Sequence, residues 1–112
     1  MNLIQTKTLP ETGTSHNKNI KKKVIIQKGK IPNLTTFATA TFKPGQSVET
    51  HIHETMYEVF YIESGRAEFV VDDERFEVKA GDCITIEPGE KHSQSNPYDG
   101  DVVWIYFGVA VD

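Results

Sequence analysis

The sequence predicts an all-β protein, an antiparallel sandwich or barrel. Three observations predict it. No stretch of ten or more residues carries helical periodicity. Eight or more short runs rich in Val, Ile, Thr and Phe follow one another closely, and turns containing Gly or Pro separate them. At 112 residues the chain has room for one domain and a modest core.

Taken in order, residues 1–19 are polar and rich in Thr, Asn, Pro and Gly, and read as a flexible N-terminal arm. Residues 20–112 read as the single folded domain. "KVIIQK" is a short apolar run, and "LTTFATATF" has the threonines and phenylalanines that suit a pleated surface. Pro44 and Gly45 in "KPGQS" signal a turn. "SVETHIH" and "YEVFYI" are the next two strand candidates. "AEFVV" and "RFEV" flank "DDE" and read as a hairpin, with Ala67, Phe69 and Val71 on one face and Glu68 on the other. "AGD" turns into "CITI", and "EPGE" turns toward His92. "VVWIYFGVAV" is a long closing strand, apolar on both faces.

The formal net charge is -4, from 12 basic and 16 acidic residues. Seven of the bases fall in residues 1–30 beside a single acid, Glu11. The basic run "NKNIKKK" has no interleaved aromatics of the kind that stack on bases, and the acidic remainder would repel phosphate, so no nucleic-acid partner is expected. No apolar run approaches the roughly 18 residues of a membrane span. The start lacks the layout of a secretory signal, and Cys83 has no second cysteine to pair with. A cytoplasmic location is the expectation. Cys83 reads as a small buried hydrophobe rather than a ligand.

The chemistry concentrates in "HIHETMYE", residues 51–58. Side chains two apart on a strand point the same way, so His51 and His53 share a face, about 7 Å apart along the strand. If Glu58 points inward, so do Phe60 and Ile62, and a carboxylate in line with core residues needs a partner. Imidazoles with a carboxylate suit a divalent transition metal. His92 also sits at a strand end, after "EPGEK", whereas the fourth histidine, His16, lies in the polar arm.

In these two stretches the sequence resembles the cupin family. "GQSVETHIHETMYEVFYIESG" has Gly45, His51, His53, Glu58 and Gly65 at the spacing of the first cupin motif. "GDCITIEPGEKHSQSN" has Gly81, Gly89, His92 and Asn96 in register with the second. One position departs: Glu87 stands where that motif has proline, and Pro88 follows one place later. The resemblance covers roughly residues 35–108. It implies a small double-sheet jelly-roll barrel, in which His51, His53, Glu58 and His92 bind one divalent ion (iron, manganese, nickel, zinc or copper). Gly65 and Gly81 then read as turn positions of positive φ, and Asn96 as a turn residue.

Four protein ligands leave up to two positions of a six-coordinate metal for a small-molecule ligand or substrate. Similar proteins include dioxygenases, isomerases, epimerases and decarboxylases. An enzyme on a small polar or anionic molecule is one expectation. A binding or sensing module with a structural or ligand-capturing metal is the other. A second acid or base near the metal would favour the enzyme, and the sequence offers Glu54 and Tyr57 as neighbours of the motif. Trp104 and Tyr106 are candidates for the cavity wall. A homodimer is expected, because the last strand would leave an apolar face exposed on a monomer.

Overall fold

The computed structural model describes residues 1–111. A 3-10 turn at Thr6–Thr8 precedes ten strands: β1 (Thr12–Gly13), β2 (Lys21–Ile26), β3 (Leu34–Phe42), β4 (Ser47–His51), β5 (Met56–Ser64), β6 (Arg66–Val71), β7 (Glu74–Lys79), β8 (Cys83–Ile86), β9 (His92–Ser95) and β10 (Val102–Ala110). They form a six-stranded sheet of order β1-β2-β3-β10-β5-β8 and a four-stranded sheet of order β4-β9-β6-β7. Every pairing is antiparallel. The all-β, jelly-roll expectation agrees with this, with one correction: the two sheets face each other without joining into a closed barrel. No helix of the described residues is long and apolar enough to cross a membrane.

The core lies between the sheets and follows the period-two pattern. Phe60 and Ile62 of β5, Ala67 and Phe69 of β6, Ala40 and Phe42 of β3 and Trp104 of β10 are buried. The Trp104 ring meets Phe42, Phe60 and Phe69 at centroid separations of 4.4, 5.8 and 5.6 Å. Truncating such an aromatic to alanine costs about 3–5 kcal/mol, because the cavity left behind adds to the lost transfer energy. β10 runs down the middle of the larger sheet, which explains its two apolar faces. Val102 and Trp104 enter the core, while Val103, Ile105 and Phe107 lie half-buried on the outer face.

The hairpin of β6 and β7 turns through Asp72 and Asp73, both with positive φ, as a two-residue turn matched to strand twist requires. Its tip is tied to the start of β9. The Asp72 amide donates to the Lys91 carbonyl at 2.9 Å, and Asp72 Oδ1 accepts from the Lys91 amide at 3.0 Å. Asn96 ends β9 as a turn residue. Its Nδ2 donates to the carbonyls of Phe42 and Gly100, and its Oδ1 accepts from the Tyr98 amide.

The chain before residue 20 lies across one gap between the sheets. β1 pairs with β2, Asn17 Nδ2 donates to the Ser47 carbonyl at 3.4 Å, and Gln46 Nε2 donates to the Asn19 carbonyl at 3.0 Å. These bonds bring the arm to the β2 edge of one sheet and the β4 edge of the other.

Gly65 and Gly81 both have positive φ, at 78° and 93°, but they differ in surroundings. A Cβ on Gly65 would run into the Asp101 carbonyl oxygen and lie 2.9 Å from Val102 Cα, whereas one on Gly81 would meet open space. Gly65→Ala is therefore expected to cost about 1–3 kcal/mol, and Gly81→Ala only the 1–2 kcal/mol of the left-handed backbone. Urea unfolding of both variants checks this. A smaller loss at Gly65 than at Gly81 would contradict the close approach.

Candidate metal centre

The pairing of β4 with β9 sets His51 directly opposite His92. A register shift between Val48 and His51 turns both of those side chains into the space between the sheets. His53 lies just beyond β4, its carbonyl held by the Gly89 amide at 2.9 Å. Glu58 reaches the same point from β5, two residues ahead of buried Phe60. The ligand atoms of these four residues all lie within 4.8 Å of one another. The structure thus gathers all four residues that the sequence singled out. The two rings of the H-x-H pair lean together, with centroids 4.9 Å apart.

The surrounding bonds prepare the rings for a cation. His51 Nδ1–H donates to the Glu49 carbonyl at 2.8 Å, and His92 Nδ1–H to the Glu90 carbonyl at 3.1 Å. A carbonyl only accepts, so each bond fixes the proton on Nδ1 and leaves the Nε2 lone pair for the site. Glu58 Oε1 lies 3.3 Å from His92 Nε2 and 3.6 Å from His53 Nε2. Yet Glu58 Oε1 and His92 Nε2 are both buried without an aligned hydrogen-bond partner. Orphaned buried polar atoms are costly, and a divalent ion between them would satisfy both. By this test three imidazoles and a carboxylate fit a transition metal.

The electrostatics agree. Burial first, and then neighbouring imidazoles, push His51 below the ordinary histidine value of 6.5; the Glu49 carbonyl offsets part of this. Burial also pushes His53 down, partly offset by Glu58. His92 moves the other way. Burial pulls it down, but the Glu58 carboxylate and the Glu90 carbonyl together outweigh burial and raise it. Tyr106, pushed up to about 12 by burial and then by Glu58, stays a phenol at neutral pH.

A cavity of about 180 Å³ opens from the centre, walled by Phe60, Trp104, Tyr106, Gln94 and Met56, among others. Gly108 sits opposite Glu58 across the β5–β10 ladder, and a Cβ there would meet Thr35 Oγ1 and Met56 Sδ, so its missing side chain keeps this wall open. Glu54 and Tyr57 do not line the cavity. Glu54 is exposed, and Tyr57, next to inward Glu58 on a strand, faces out. Cys83 is exposed rather than buried, because it faces outward on edge strand β8.

Several residues of the cavity escaped the sequence, His16, Lys22 and Gln94 among them. His16 of the arm stacks on His51 at a centroid distance of 4.2 Å. Lys22 and Gln94 also line the space. No spacing rule marks His16, because the chain between it and His51 is folded back. Gln94 stands two residues after His92, a same-face signal that was available.

In protein stripped of metal, His92 is expected to protonate first as pH falls, and His51 and His53 only below 6.5. The raised group stabilises the fold below about pH 6.5 and loses that contribution as pH rises through its folded value. The lowered pair stabilises above about 6.5 and loses it as pH falls through their folded values. These opposite signs partly cancel in overall stability, so imidazole NMR titration is the cleaner readout. In Glu58→Gln, the His92 value should fall, and an unchanged His92 would contradict the Glu58 contact.

Comparison with known proteins agrees with this geometry. The cupin domain family matches residues 38–108. The chain is 35% identical over 69 residues to an oxalate-binding protein of Thermotoga maritima, across 62% of this chain and 57% of that one. It is 39% identical over 61 residues to an uncharacterised protein of Methanocaldococcus jannaschii, across 54% and 49%. It thus spans about half the length of these curated relatives. The fold superposes on the crystal structure of a predicted oxalate decarboxylase from Thermotoga maritima, with a TM-score of 0.89 at 23% identity, across 97% of this chain and 99% of that one. It also superposes on the cupin domain of Cnp3 from Schizosaccharomyces pombe, with a TM-score of 0.79 at 14% identity, across 95% and 72%. With the family matched across residues 38–108 and the two-sheet fold shared with these structures, the chain belongs to the cupin family.

Proposed function

We propose that this chain is a metal-dependent cupin that acts on a small polar or anionic molecule. The observation that carries the reading is the buried, unpartnered pair Glu58 Oε1 and His92 Nε2, set among His51 and His53 at the inner end of a cavity. These four residues would hold the ion. When bound, it supplies a Lewis acid that polarises a coordinated oxygen. The residues around it would do the rest. Tyr106 offers a phenol O–H as a donor toward the cavity. Phe60 and Trp104 exclude water, which strengthens every polar contact inside. His16, at the outer side of His51, is an imidazole on the wall that is not among the four ligand candidates.

Similarity to a protein named for oxalate binding, and a fold shared with a predicted oxalate decarboxylase, make small carboxylates the first compounds to try. Carbon–carbon cleavage joins isomerisation, epimerisation and oxygenation as the reaction types to test. A second reading, capture of a small molecule without turnover, has its own support: Glu58 is the only carboxylate lining the cavity among the described residues. Incubation of metal-loaded protein with small acids, followed by product analysis, separates the two. Binding without product favours the second.

The same reading extends to assembly as a symmetric homodimer. The outer face of the larger sheet carries Phe37, Tyr61, Ile105 and Phe107, half-buried or exposed, and a second copy would cover it.

Two outcomes are expected. Protein purified without a metal column should carry about one divalent ion per chain, lost below about pH 6 and lost in the double variant His51→Ala, His92→Ala. Full metal content in that variant, by elemental analysis, would refute the ligand set. Sedimentation at micromolar concentration should show a dimer that Ile105→Lys splits. A wild-type monomer would end the dimer reading.

A further inference from the structure

The cavity has a second polar pole, supplied by β2 and β9. Lys22 stands opposite Ala40 in the β2–β3 ladder, and directly opposed residues share a face. Ala40 is buried in the core, so Lys22 also points inward and lines the cavity. Its neighbours face elsewhere and have partners: Lys21 Nζ donates to the Lys18 carbonyl at 3.2 Å, and Lys23 Nζ to the Thr6 carbonyl at 3.3 Å. Lys22 is half-buried, and no carboxylate of the described residues pairs with its amine. An inward lysine without a counter-ion is unusual, because burial of its charge is tolerated mainly in pairs.

Gln94 supplies an independent observation. It is 8% exposed, it lines the same cavity, and its Oε1 is buried without a hydrogen-bond partner. Because that oxygen makes no bond, the amide can turn and present its N–H groups instead without losing one. A lysine amine from one sheet and a carboxamide from the other, lining the same cavity, are a donor set for an anion.

Charge decides what the cavity takes. Among the described residues, Glu58 is the only carboxylate on its wall. A divalent ion at the histidine pole together with Lys22 therefore leaves two positive charges uncompensated in the cavity. At about 180 Å³ the cavity is smaller than the roughly 300–1,000 Å³ of sites for drug-sized ligands.

We infer that Lys22 and Gln94 form an anion-holding pole distinct from the histidine pole, and that the cavity's occupant is a small dianion spanning the two. One carboxylate faces the metal pole and the other meets the Lys22 amine, with the apolar ring wall of Phe60 and Trp104 along the carbon chain. The inference rests on the metal reading above for the first pole only. Lys22 is then a specificity-determining residue that the N-terminal strand contributes to a site otherwise built by the two motifs.

Calorimetric titration of manganese-loaded protein tests this, with metal content measured on every sample. The probes are malonate and succinate, each against the monocarboxylate of equal chain length, propionate and butyrate. At least one dicarboxylate should bind about tenfold or more tightly than its partner, the size of one charge-assisted contact. Lys22→Met should erase that advantage at unchanged metal content and leave the monocarboxylates in place. Lys22→Arg should restore part of it, and Gln94→Glu should weaken dicarboxylates selectively. Oxalate, too short to part its two charges, is the control and should change less than about threefold in Lys22→Met. No dicarboxylate advantage in the wild type, or an advantage that survives Lys22→Met, overturns the second pole and leaves the metal reading standing. Equal loss for oxalate overturns the two-pole geometry. A wild type that takes up none of manganese, iron, nickel, zinc or copper overturns the metal reading, and the dianion proposal falls with it.

Discussion

Glu58 shares the inner face of β5 with Phe60 and Ile62, both almost fully buried, so its carboxylate stands at the end of a hydrophobic column. It is 13% exposed, and Oε1 has no hydrogen-bond donor. A charge in that position is stable only beside an opposite one. The rest of the site is arranged around that requirement. β4 and β9 set His51 against His92, two backbone carbonyls fix the protons on the far side of those rings, and His53 completes the set from beyond the end of β4. The same carboxylate raises His92 above its ordinary value, against the pull of burial.

The fold meets this demand with stiffness supplied from a distance. His92 opens β9 directly after Lys91, which the tip of the β6–β7 hairpin holds by two hydrogen bonds. At the other end of β9, Asn96 is bonded to Phe42, Gly100 and Tyr98. The strand that carries His92 and Gln94 is therefore pinned at both ends, and its inward side chains have little freedom to drift from the centre. The Trp104 cluster fixes the separation of the sheets and so the depth of the cavity.

The arm changes the character of the site. Two sheets that do not close leave a gap beside β2 and β4, and Thr14, Ser15 and His16 wall the cavity there. The charge split along the chain gains a meaning from this. The basic first third does more than solvate the surface, since one of its lysines faces inward toward a space whose wall carries a single carboxylate among the described residues. No carboxylate of the described residues forms an ion pair with Lys22.

Much of this was legible in the sequence because it is local. Period-two alternation placed Phe60, Ile62, Ala67 and Phe69 in the core, and a spacing of two put His51 and His53 on one face. The same arithmetic put an inward Glu58 in line with Phe60 and Ile62, but the sequence also offered Tyr57 beside the metal, and the structure turns it outward. The two motifs, each a contiguous stretch, carried the ligand candidates and the family. What the sequence could not determine is everything that depends on which edge lies beside which. Cys83 reads as core in "CITI" but is exposed, because β8 became an edge strand. His16 reads as solvent in a polar arm but stacks on His51, because side-chain bonds from Asn17 to the Ser47 carbonyl and from Gln46 to the Asn19 carbonyl fold the arm over the gap. Lys22 sits in an unpatterned "KKK", and only its pairing opposite Ala40 turns it inward. Local periodicity determined which residues share a face of a strand. The long-range pairing of edges, which no short window of sequence contains, decided which of them share a cavity.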